Sequence, residues 1–177
     1  MSYYDSQVDV MIDAEKVSAK VKELGAQITR DYAGKPLTLV GILKGSVFFT
    51  TDLARAIDLP LNVEFLGVSS YAGGTETTGE VRITSDLTKP MHDRHILLVE
   101  DIVDTGLTMK FLLENFAARH PSSVKICALL EKPSRARVRV PIDYKGFVIE
   151  DRFVVGYGLD FDEKYRNLPF IGVMKGR

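Results

Sequence analysis

The segment that most constrains the fold runs from 95 to 108 and reads H-I-L-L-V-E-D-I-V-D-T-G-L-T. It begins with a continuous apolar run, typical of a strand that is buried on both faces of a sheet. Two adjacent acids, Glu100 and Asp101, follow this run, and a glycine- and threonine-containing stretch follows at 104–108. The pattern of 109–119 then predicts a helix. The chain therefore carries carboxylates and a small polar loop from a buried strand to the start of a helix.

A loop of this composition is suited to binding a phosphate, because backbone N–H groups and the helix dipole favour an anion there. Simpler explanations exist for each part alone: the acids at 100 and 101 can be a solvated strand end, and Asp104 a helix cap. The whole string after a buried strand favours a ligand site. A Walker-type nucleotide site would also need a G-x-x-x-x-G-K-[ST] loop, which the sequence lacks, and Gly156 and Gly158 do not continue into a dinucleotide fingerprint.

The composition is that of an ordinary globular protein. The chain has 177 residues, of which 45% are hydrophobic and 27% charged, and this predicts one domain. The net charge of −1 argues against a dedicated nucleic-acid binder. No apolar run approaches the length of a membrane span, and the first residues lack the pattern of a signal peptide, so we expect a cytoplasmic protein with no membrane partner. The single cysteine, Cys127, excludes an internal disulfide framework and is expected in the core.

Hydrophobic patterning predicts strands that alternate with helices. The predicted strands are 37–43, 61–69, 81–87, 96–99, 124–130, 147–149 and 154–155, and the predicted helices are 13–32, 47–57 and 109–119. The glycine- and threonine-rich stretch 71–79 is expected to be a mobile loop. Such alternation favours an α/β fold in which a parallel sheet has helices on both faces. A ligand site should then lie at the carboxyl ends of the strands, in the loops after Leu43, Ser69, Val99 and Leu130.

Segment 95–108 resembles the phosphoribosyl-diphosphate (PRPP) motif of the type I phosphoribosyltransferases, and the resemblance extends from about residue 8 to 175. Within this family the chain is similar to bacterial enzymes that act on hypoxanthine and guanine. The resemblance implies a parallel-sheet type I phosphoribosyltransferase fold with a small irregular hood region for the purine. It implies a single domain, 1–177, whose hood is formed by N-terminal residues and the segment after about 133. It also implies Mg²⁺ as cofactor and a homodimer or homotetramer.

The resemblance assigns roles to the PRPP motif. The stretch 104–108 would bind the 5′-phosphate of the donor, and Glu100 and Asp101 would accept hydrogen bonds from its 2′- and 3′-hydroxyls. Asp104 would lie near N7 of the purine and act there as the catalytic base or acid. The phosphate would be held by backbone N–H groups and threonine hydroxyls of Asp104, Thr105, Gly106, Leu107 and Thr108. Some family members carry a lysine in place of Leu107, but only the backbone N–H of that position is needed.

Two further segments would bind pyrophosphate and metal. The tetrad L-K-G-S contributes Lys44 and Gly45, and the resemblance implies a cis peptide between Leu43 and Lys44. In the segment G-L-D-F-D-E-K-Y-R, Asp160 would bind Mg²⁺ and Arg166 would contact pyrophosphate. Glu100 and Asp101 are further candidate metal ligands. In the loop that begins near residue 70, Ser70 and Tyr71 would form part of a lid that contacts the diphosphate.

The base pocket is expected at Lys132, Phe153 and Val154. By resemblance, Lys132 donates to O6 of the purine, Phe153 stacks on the ring, and the backbone of Val154 contacts its edge. A lysine ammonium group can only donate, so an acceptor at position 6 is favoured over the amine of adenine. Arg135 is expected to orient the loop of Lys132 or to contact a phosphate.

The implied activity is purine salvage: transfer of a 5-phosphoribosyl group from PRPP to N9 of hypoxanthine or guanine, which gives IMP or GMP and pyrophosphate. A xanthine-preferring enzyme is an alternative on the same sequence. A second alternative is an RNA-binding regulator of the pyrimidine-operon type on the same fold. Such a regulator should present a basic face, and the only compact basic patch is the R-A-R-V-R cluster at 135–139. We therefore expect small-molecule partners and no nucleic acid.

Overall fold

The computed structural model of the protein describes residues 7–70 and 81–176. The predicted loop 71–79, including the lid residue Tyr71, lies outside the described residues. The strands are β1 (Val8–Ile12), β2 (Leu37–Leu43), β3 (Leu61–Ser70), β4 (Val81–Ser85), β5 (His95–Val103), β6 (Ser123–Glu131), β7 (Tyr144–Val148), β8 (Val154–Val155) and β9 (Ile171–Met174). The helices are α1 (Ala14–Asp31), α2 (Val47–Ala56) and α3 (Leu107–Ala117), with one 3₁₀ turn at Pro133–Arg135. Across these described ranges, no helix combines the length and the apolar character that a membrane crossing requires.

The predicted α/β class is confirmed. A six-stranded sheet has the order β4-β3-β2-β5-β6-β7, and all its pairings are parallel except that of β4 with β3. Alternate side chains of the central strands enter two different cores, as the pleat requires. Leu39 and Leu97 pack in the core that contains α1 and α2, whereas Val40 and Leu98 pack in the core that contains α3. Helices therefore cover both faces of the sheet.

The order of the strands creates a crevice between the ends of β2 and β5. From β2 the chain passes through α2 to β3 on one side, and from β5 it passes through α3 to β6 on the other side. The loops that follow β2 and β5 thus diverge to opposite faces of the sheet. Open α/β sheets bind their ligands at such a switch point, so we expect a ligand site at the loops after Leu43 and Val103.

A second, three-stranded antiparallel sheet has the order β1-β9-β8. Of its strands, β8 was predicted from the sequence, but β1 and β9 were not. Ile12, Val154 and Ile171 from this small sheet are buried in the same core as α1 and α2. The chain segments before α1 and after β8 are thus fastened together and to one face of the central sheet.

Two differences from the predicted boundaries concern the site. β5 continues through Val103 and does not end at Val99, so Glu100 and Asp101 belong to the strand and pair with β6 through Glu100↔Ala128. Helix α3 begins at Leu107, two positions earlier than the apolar pattern indicates. The loop between the acids and the helix is therefore shorter than expected: it spans only 104–106, between the end of β5 and the start of α3.

Candidate active site

The acidic pair lies at the end of β5 in a poorly solvated position. Glu100 is only 8% exposed, and Asp101 is partly buried. Burial raises the pKa of the Glu100 carboxyl well above its usual range, and the adjacent charge of Asp101 raises it further. Burial also raises the pKa of Asp101. Two such carboxylates favour a ligand that brings a cation or hydrogen-bond donors, since either would stabilise their charged forms.

The loop after β2 closely contacts this pair. A Cβ atom added to Gly45 would lie 1.8 Å from Oδ2 of Asp101, and one added to Gly158 would lie 1.8 Å from the carbonyl oxygen of Gly45. Gly158 also has a φ of +104°, which L side chains rarely adopt. Only glycines allow three segments, the ends of β2 and β5 and the turn after β8, to approach this closely. The peptide bond between Leu43 and Lys44 is cis, as the family resemblance implied.

The loop between β5 and α3 forms a cavity at a helix N-terminus. Gly106 is the N-cap of α3 with a φ of +82° and has no side chain to cap the helix, while the N–H of Leu107 donates to the hydroxyl of Thr105 at 3.4 Å. The carbonyl oxygen of Thr105 accepts hydrogen bonds from the backbone N–H groups of Arg137 and Val138, at 3.0 and 3.1 Å. A cavity of about 190 Å³ is lined by Glu100, Asp101, Ile102, Val103, Asp104, Thr105, Gly106, Thr108 and Met109. This cavity combines a helix N-terminus with carboxylates, which suits a phosphorylated sugar.

Two basic side chains meet at a neighbouring cavity. Lys44 Nζ lies 2.7 Å from Oε2 of Glu163, and an Arg166 Nη2 nitrogen lies 3.2 Å from Oε1 of the same carboxylate. This cavity has a volume of about 370 Å³ and is lined by Leu43, Lys44, Gly67, Val68, Thr84, Ser85, Glu163 and Arg166. One carboxylate thus lies between the two cations that the sequence predicted to bind pyrophosphate.

Asp160, the predicted metal ligand, is held by the same turn. Its Oδ1 lies 3.0 Å from Arg166 Nη2, and its Oδ2 accepts a hydrogen bond of 2.9 Å from the backbone N–H of Glu163. Arg166 also donates to the carbonyl oxygen of Gly158 at 2.7 Å. The buried Nε of Arg166 has no hydrogen-bond partner within the described ranges. The guanidinium group is therefore fixed by Gly158, Asp160 and Glu163, and its Nε donor is available to a ligand.

A third cavity contains the predicted base-pocket lysine. It has a volume of about 240 Å³ and is lined by Val103, Asp104, Glu131, Lys132, Pro133, Ala136, Val138, Arg139 and Val140. Lys132 is only 7% exposed, and its Nζ lies 3.7 Å from Oδ1 of Asp151. Asp104 lines both this cavity and the phosphate cavity. The two cavities are therefore adjacent, with Asp104 between them.

The other predicted base-pocket residues do not line this cavity. Phe153 is 45% exposed, and its ring lies 5.8 Å from that of Phe161 in an edge-to-face arrangement. The side chain of Val154 is buried in the core of the α1 and α2 face. Neither Phe153 nor Val154 is among the residues that line the Lys132 cavity. Ser70 is the last residue of β3, where its backbone pairs with Val81, and Tyr71 lies outside the described residues.

Sequence reasoning missed two side chains and one glycine that take part in this geometry: Glu163 joins Lys44 to Arg166, Asp151 lies near Lys132, and Gly158 contacts Gly45. Arg135, which was expected to orient the loop of Lys132 or to contact a phosphate, pairs with Asp104. For Glu163 the sequence offers a signal: it lies between Asp160 and Arg166, three positions from each. The pairing of Asp151 with Lys132 has no local signal, because it depends on how the turn after β7 folds back.

Comparisons with known proteins identify the family of the chain. A family model described as phosphoribosyl transferase domain matches residues 9–162. Hypoxanthine-guanine phosphoribosyltransferase of Staphylococcus aureus is 49% identical over 167 residues, which cover 94% of this chain and 93% of that protein. The protein of the same name from Mycobacterium tuberculosis is 48% identical over 174 residues, which cover 95% of this chain and 86% of that protein.

A solved structure is similar over almost the whole chain. The crystal structure of a hypoxanthine phosphoribosyltransferase from Staphylococcus aureus superposes with a TM-score of 0.94 at 47% identity, covering 98% of this chain and 95% of that one. The chain belongs to the phosphoribosyl transferase family.

Proposed function

We propose that this protein transfers the 5-phosphoribosyl group of PRPP to N9 of hypoxanthine or guanine, giving IMP or GMP and pyrophosphate, as a step of purine salvage. One observation carries the proposal: the phosphate cavity and the Lys132 cavity share Asp104. A donor sugar in the first cavity and a base in the second would meet at that residue. The names of the relatives support the same reaction.

The donor would be bound through three of its groups. The 5′-phosphate would lie at the N-terminus of α3, held by N–H groups and hydroxyls of 104–108, and the ribose hydroxyls would donate to Glu100 and Asp101. The pyrophosphate would lie between Lys44, Arg166 and the backbone of Gly45. Both cations already face one carboxylate, Glu163, which supports their use for an anion.

Transfer begins as pyrophosphate leaves C1 of the ribose, which builds positive charge on the sugar and negative charge on the leaving group. Lys44 and Arg166 would stabilise the developing negative charge, an electrostatic contribution that is strongest in a site closed to water. N9 of the purine then forms the new bond to C1. Asp104 would hold or move the proton at N7 during this step.

Mg²⁺ fits the donor set of this site. It prefers oxygen ligands, usually a few protein carboxylates together with substrate phosphates and water. Asp160 presents a carboxylate beside Arg166, and the buried pair Glu100 and Asp101 has raised pKa values that a nearby cation would lower. When bound, Mg²⁺ would add positive charge to the diphosphate, and these carboxylates would hold it.

Base selection would rest on Lys132. Its buried ammonium group would donate to O6 of a 6-oxopurine, and adenine would place its own donor there. Phe153 would stack on the ring, and the backbone of Val154 would contact its edge. Xanthine also carries an acceptor at position 6, so a xanthine-preferring enzyme is the nearest alternative.

A lid, a single domain and an oligomer are further parts of the proposed function. Ser70 and Tyr71 would contact the diphosphate as part of a lid, because a ribosyl cation must be protected from water. Residues 1–177 would form a single domain in which the small sheet of β1, β8 and β9 belongs to the hood. The protein would act in the cytoplasm as a homodimer or homotetramer, which sedimentation of the full chain tests.

The test is an assay of the purified protein with PRPP, MgCl₂ and one purine at a time. Chromatography of the products should show IMP or GMP and an equal amount of pyrophosphate. A parallel titration with RNA at physiological salt addresses the regulator alternative. RNA binding without nucleotide formation would overturn the proposal, and product formed from xanthine alone would establish the nearest alternative.

A further inference from the structure

We propose that Arg135 is a positioning residue for the transfer reaction, which acts through Asp104, and that Asp151 couples it to Lys132. The inference rests on the proposed function, because it assigns Asp104 to the proton at N7 and Lys132 to O6 of the base. It adds Arg135 and Asp151, which contact the two groups assigned to the purine, Asp104 and Lys132.

The geometry forms a chain of alternating charges. Arg135 Nε donates to Oδ1 of Asp104 at 2.9 Å, and an Nη1 nitrogen of Arg135 lies 3.5 Å from Oδ2 of Asp151. The other oxygen of Asp151, Oδ1, lies 3.7 Å from Nζ of Lys132. Asp104 and Asp151 both raise the pKa of Arg135, with Asp104 contributing first. Asp104, assigned to the proton at N7, and Lys132, which selects the base, are therefore linked through Arg135 and Asp151.

The backbone holds Arg135 at a fixed distance from the loop of Asp104. The N–H of Lys132 donates to the carbonyl oxygen of Val103 at 3.0 Å, immediately before that loop. Beyond Arg135, two further N–H groups donate to the carbonyl oxygen of Thr105. Arg135 ends the 3₁₀ turn Pro133–Arg135 between these two attachments. The segment that carries Arg135 is thus fastened to the Asp104 loop on both sides.

This arrangement has a chemical consequence. A guanidinium group is planar and donates in fixed directions, so its hydrogen bond to one oxygen sets the plane of the carboxylate. The contact uses Oδ1, so Oδ2 of Asp104 can face the substrate. Asp151 in turn lies between two cations and limits where the ammonium group of Lys132 points. Arg135 is accordingly expected to affect turnover, and Asp151 to affect recognition of the base.

The test compares Arg135→Gln with Arg135→Lys, and uses Arg30→Gln, an exposed position on α1, as the remote control. We expect Arg135→Gln to lower kcat with guanine about tenfold, the effect of losing one charge-assisted hydrogen bond. The Kd for PRPP, measured by calorimetry, should stay within about twofold, since Arg135 is not among the residues that line the phosphate cavity. Arg135→Lys should recover part of kcat, and Arg30→Gln should behave as wild type.

A double-mutant cycle tests whether Arg135 acts through Asp104. In an Asp104→Asn background, Arg135→Gln should cause almost no further loss of kcat. A second loss as large as in the wild-type background would show that Arg135 acts independently and would overturn the inference. Wild-type kcat in Arg135→Gln would overturn it as well.

Asp151→Asn tests the link to Lys132, and it remains informative even if the Arg135 variants fold poorly. The KM for guanine should rise severalfold while the Kd for PRPP is unchanged, and an unchanged KM would refute the coupling. These outcomes differ from failure of the proposed function, in which the wild-type protein itself would form no nucleotide from any purine.

Discussion

Lys44 and Glu163 form an ion pair of 2.7 Å although they are far apart in the sequence. The second oxygen of Glu163 lies 3.2 Å from Arg166. The hydrogen bond and charge of Lys44 hold the pKa of Glu163 below its usual value. The two cations proposed to bind pyrophosphate are thus already paired with a carboxylate of the protein, so a diphosphate has to compete with Glu163 for them.

Glu163→Gln should therefore strengthen the binding of pyrophosphate. The variant keeps the size of the side chain and removes the competing charge, and because the pair is exposed we expect a decrease in Kd of about two- to fivefold. Calorimetric titration with magnesium pyrophosphate measures this directly. Glu23→Gln is the matched control: Glu23 is 63% exposed and pairs with Lys20 at 2.8 Å on α1. Weaker binding to Glu163→Gln would mean that the carboxylate assists the diphosphate.

Asp104→Asn should reduce turnover far more than it weakens donor binding. Loss of a general acid or base typically costs about 10²- to 10⁴-fold in rate, whereas Asn keeps the shape and one acceptor oxygen. Single-turnover kinetics and the Kd for PRPP separate the two effects. Equal losses in both quantities would count against a role at N7 and favour a role in holding the donor.

Glu100→Gln should make the unliganded protein more stable at pH 8. Burial and the Asp101 charge raise the pKa of Glu100 in the folded state above its value of 4.5 in an unfolded chain. The folded state then binds more protons, so stability decreases as pH rises above that value. Replacing Glu100 by a neutral amide removes this loss. Its melting temperature should exceed that of the wild type by a few degrees at pH 8 and by less at pH 5.

The same variant should bind PRPP less tightly, because the amide is a weaker acceptor for a ribose hydroxyl. Saturating PRPP should consequently stabilise Glu100→Gln less than it stabilises the wild type. Glu23→Gln serves again as the exposed control and should show the same small difference in melting temperature at both pH values. A Glu100→Gln variant that melts below the wild type at pH 8 would contradict the assignment of a costly buried charge.

Gly45→Ala should disrupt donor binding through a steric effect. The added Cβ would lie 1.8 Å from Oδ2 of Asp101, so either this carboxylate or the loop after β2 must shift, and both belong to the proposed donor site. Such overpacking typically costs about 1–3 kcal/mol of stability. Gly34→Ala is the control, because a Cβ there meets nothing within 4 Å and only the positive φ is unfavourable. We expect a large increase in the Kd for PRPP in Gly45→Ala and an unchanged Kd in Gly34→Ala.

The elements whose own residues carry a clear pattern, such as β2 and α1, were predicted from the sequence. The seven-residue run L-T-L-V-G-I-L predicted β2 at its observed bounds, and Asp13 predicted the start of α1, where its carboxylate accepts from Lys16 N at 2.8 Å. The strands β1 and β9 gave no comparable signal. They pair with each other through contacts such as Val8↔Met174, between opposite ends of the chain, and short strands of this kind are defined by their partner more than by their own residues.

In the functional site, too, residues that are consecutive in sequence were predicted, and residues brought together only by the fold were not. The 95–108 string indicated the acids and the phosphate loop because they are consecutive in sequence. Apolar periodicity ended β5 too early, since the ladder to β6 continues through the acids with Ile102↔Leu130. Glu163 reaches Lys44 through a turn with positive φ at Asp162, Glu163 and Tyr165, a backbone path that side-chain patterns do not encode. The cis peptide at Leu43–Lys44 was expected from the family resemblance and from no property of the residues themselves.

Transfer of phosphoribose to a 6-oxopurine is tested most directly by measuring kcat/KM for hypoxanthine, guanine, xanthine and adenine, each with saturating PRPP and Mg²⁺. The values for hypoxanthine and guanine should exceed that for adenine by about 10³- to 10⁵-fold, because a buried lysine opposite an amine leaves donors unpaired. Comparable turnover of adenine, or no transfer to hypoxanthine and guanine, would contradict the account.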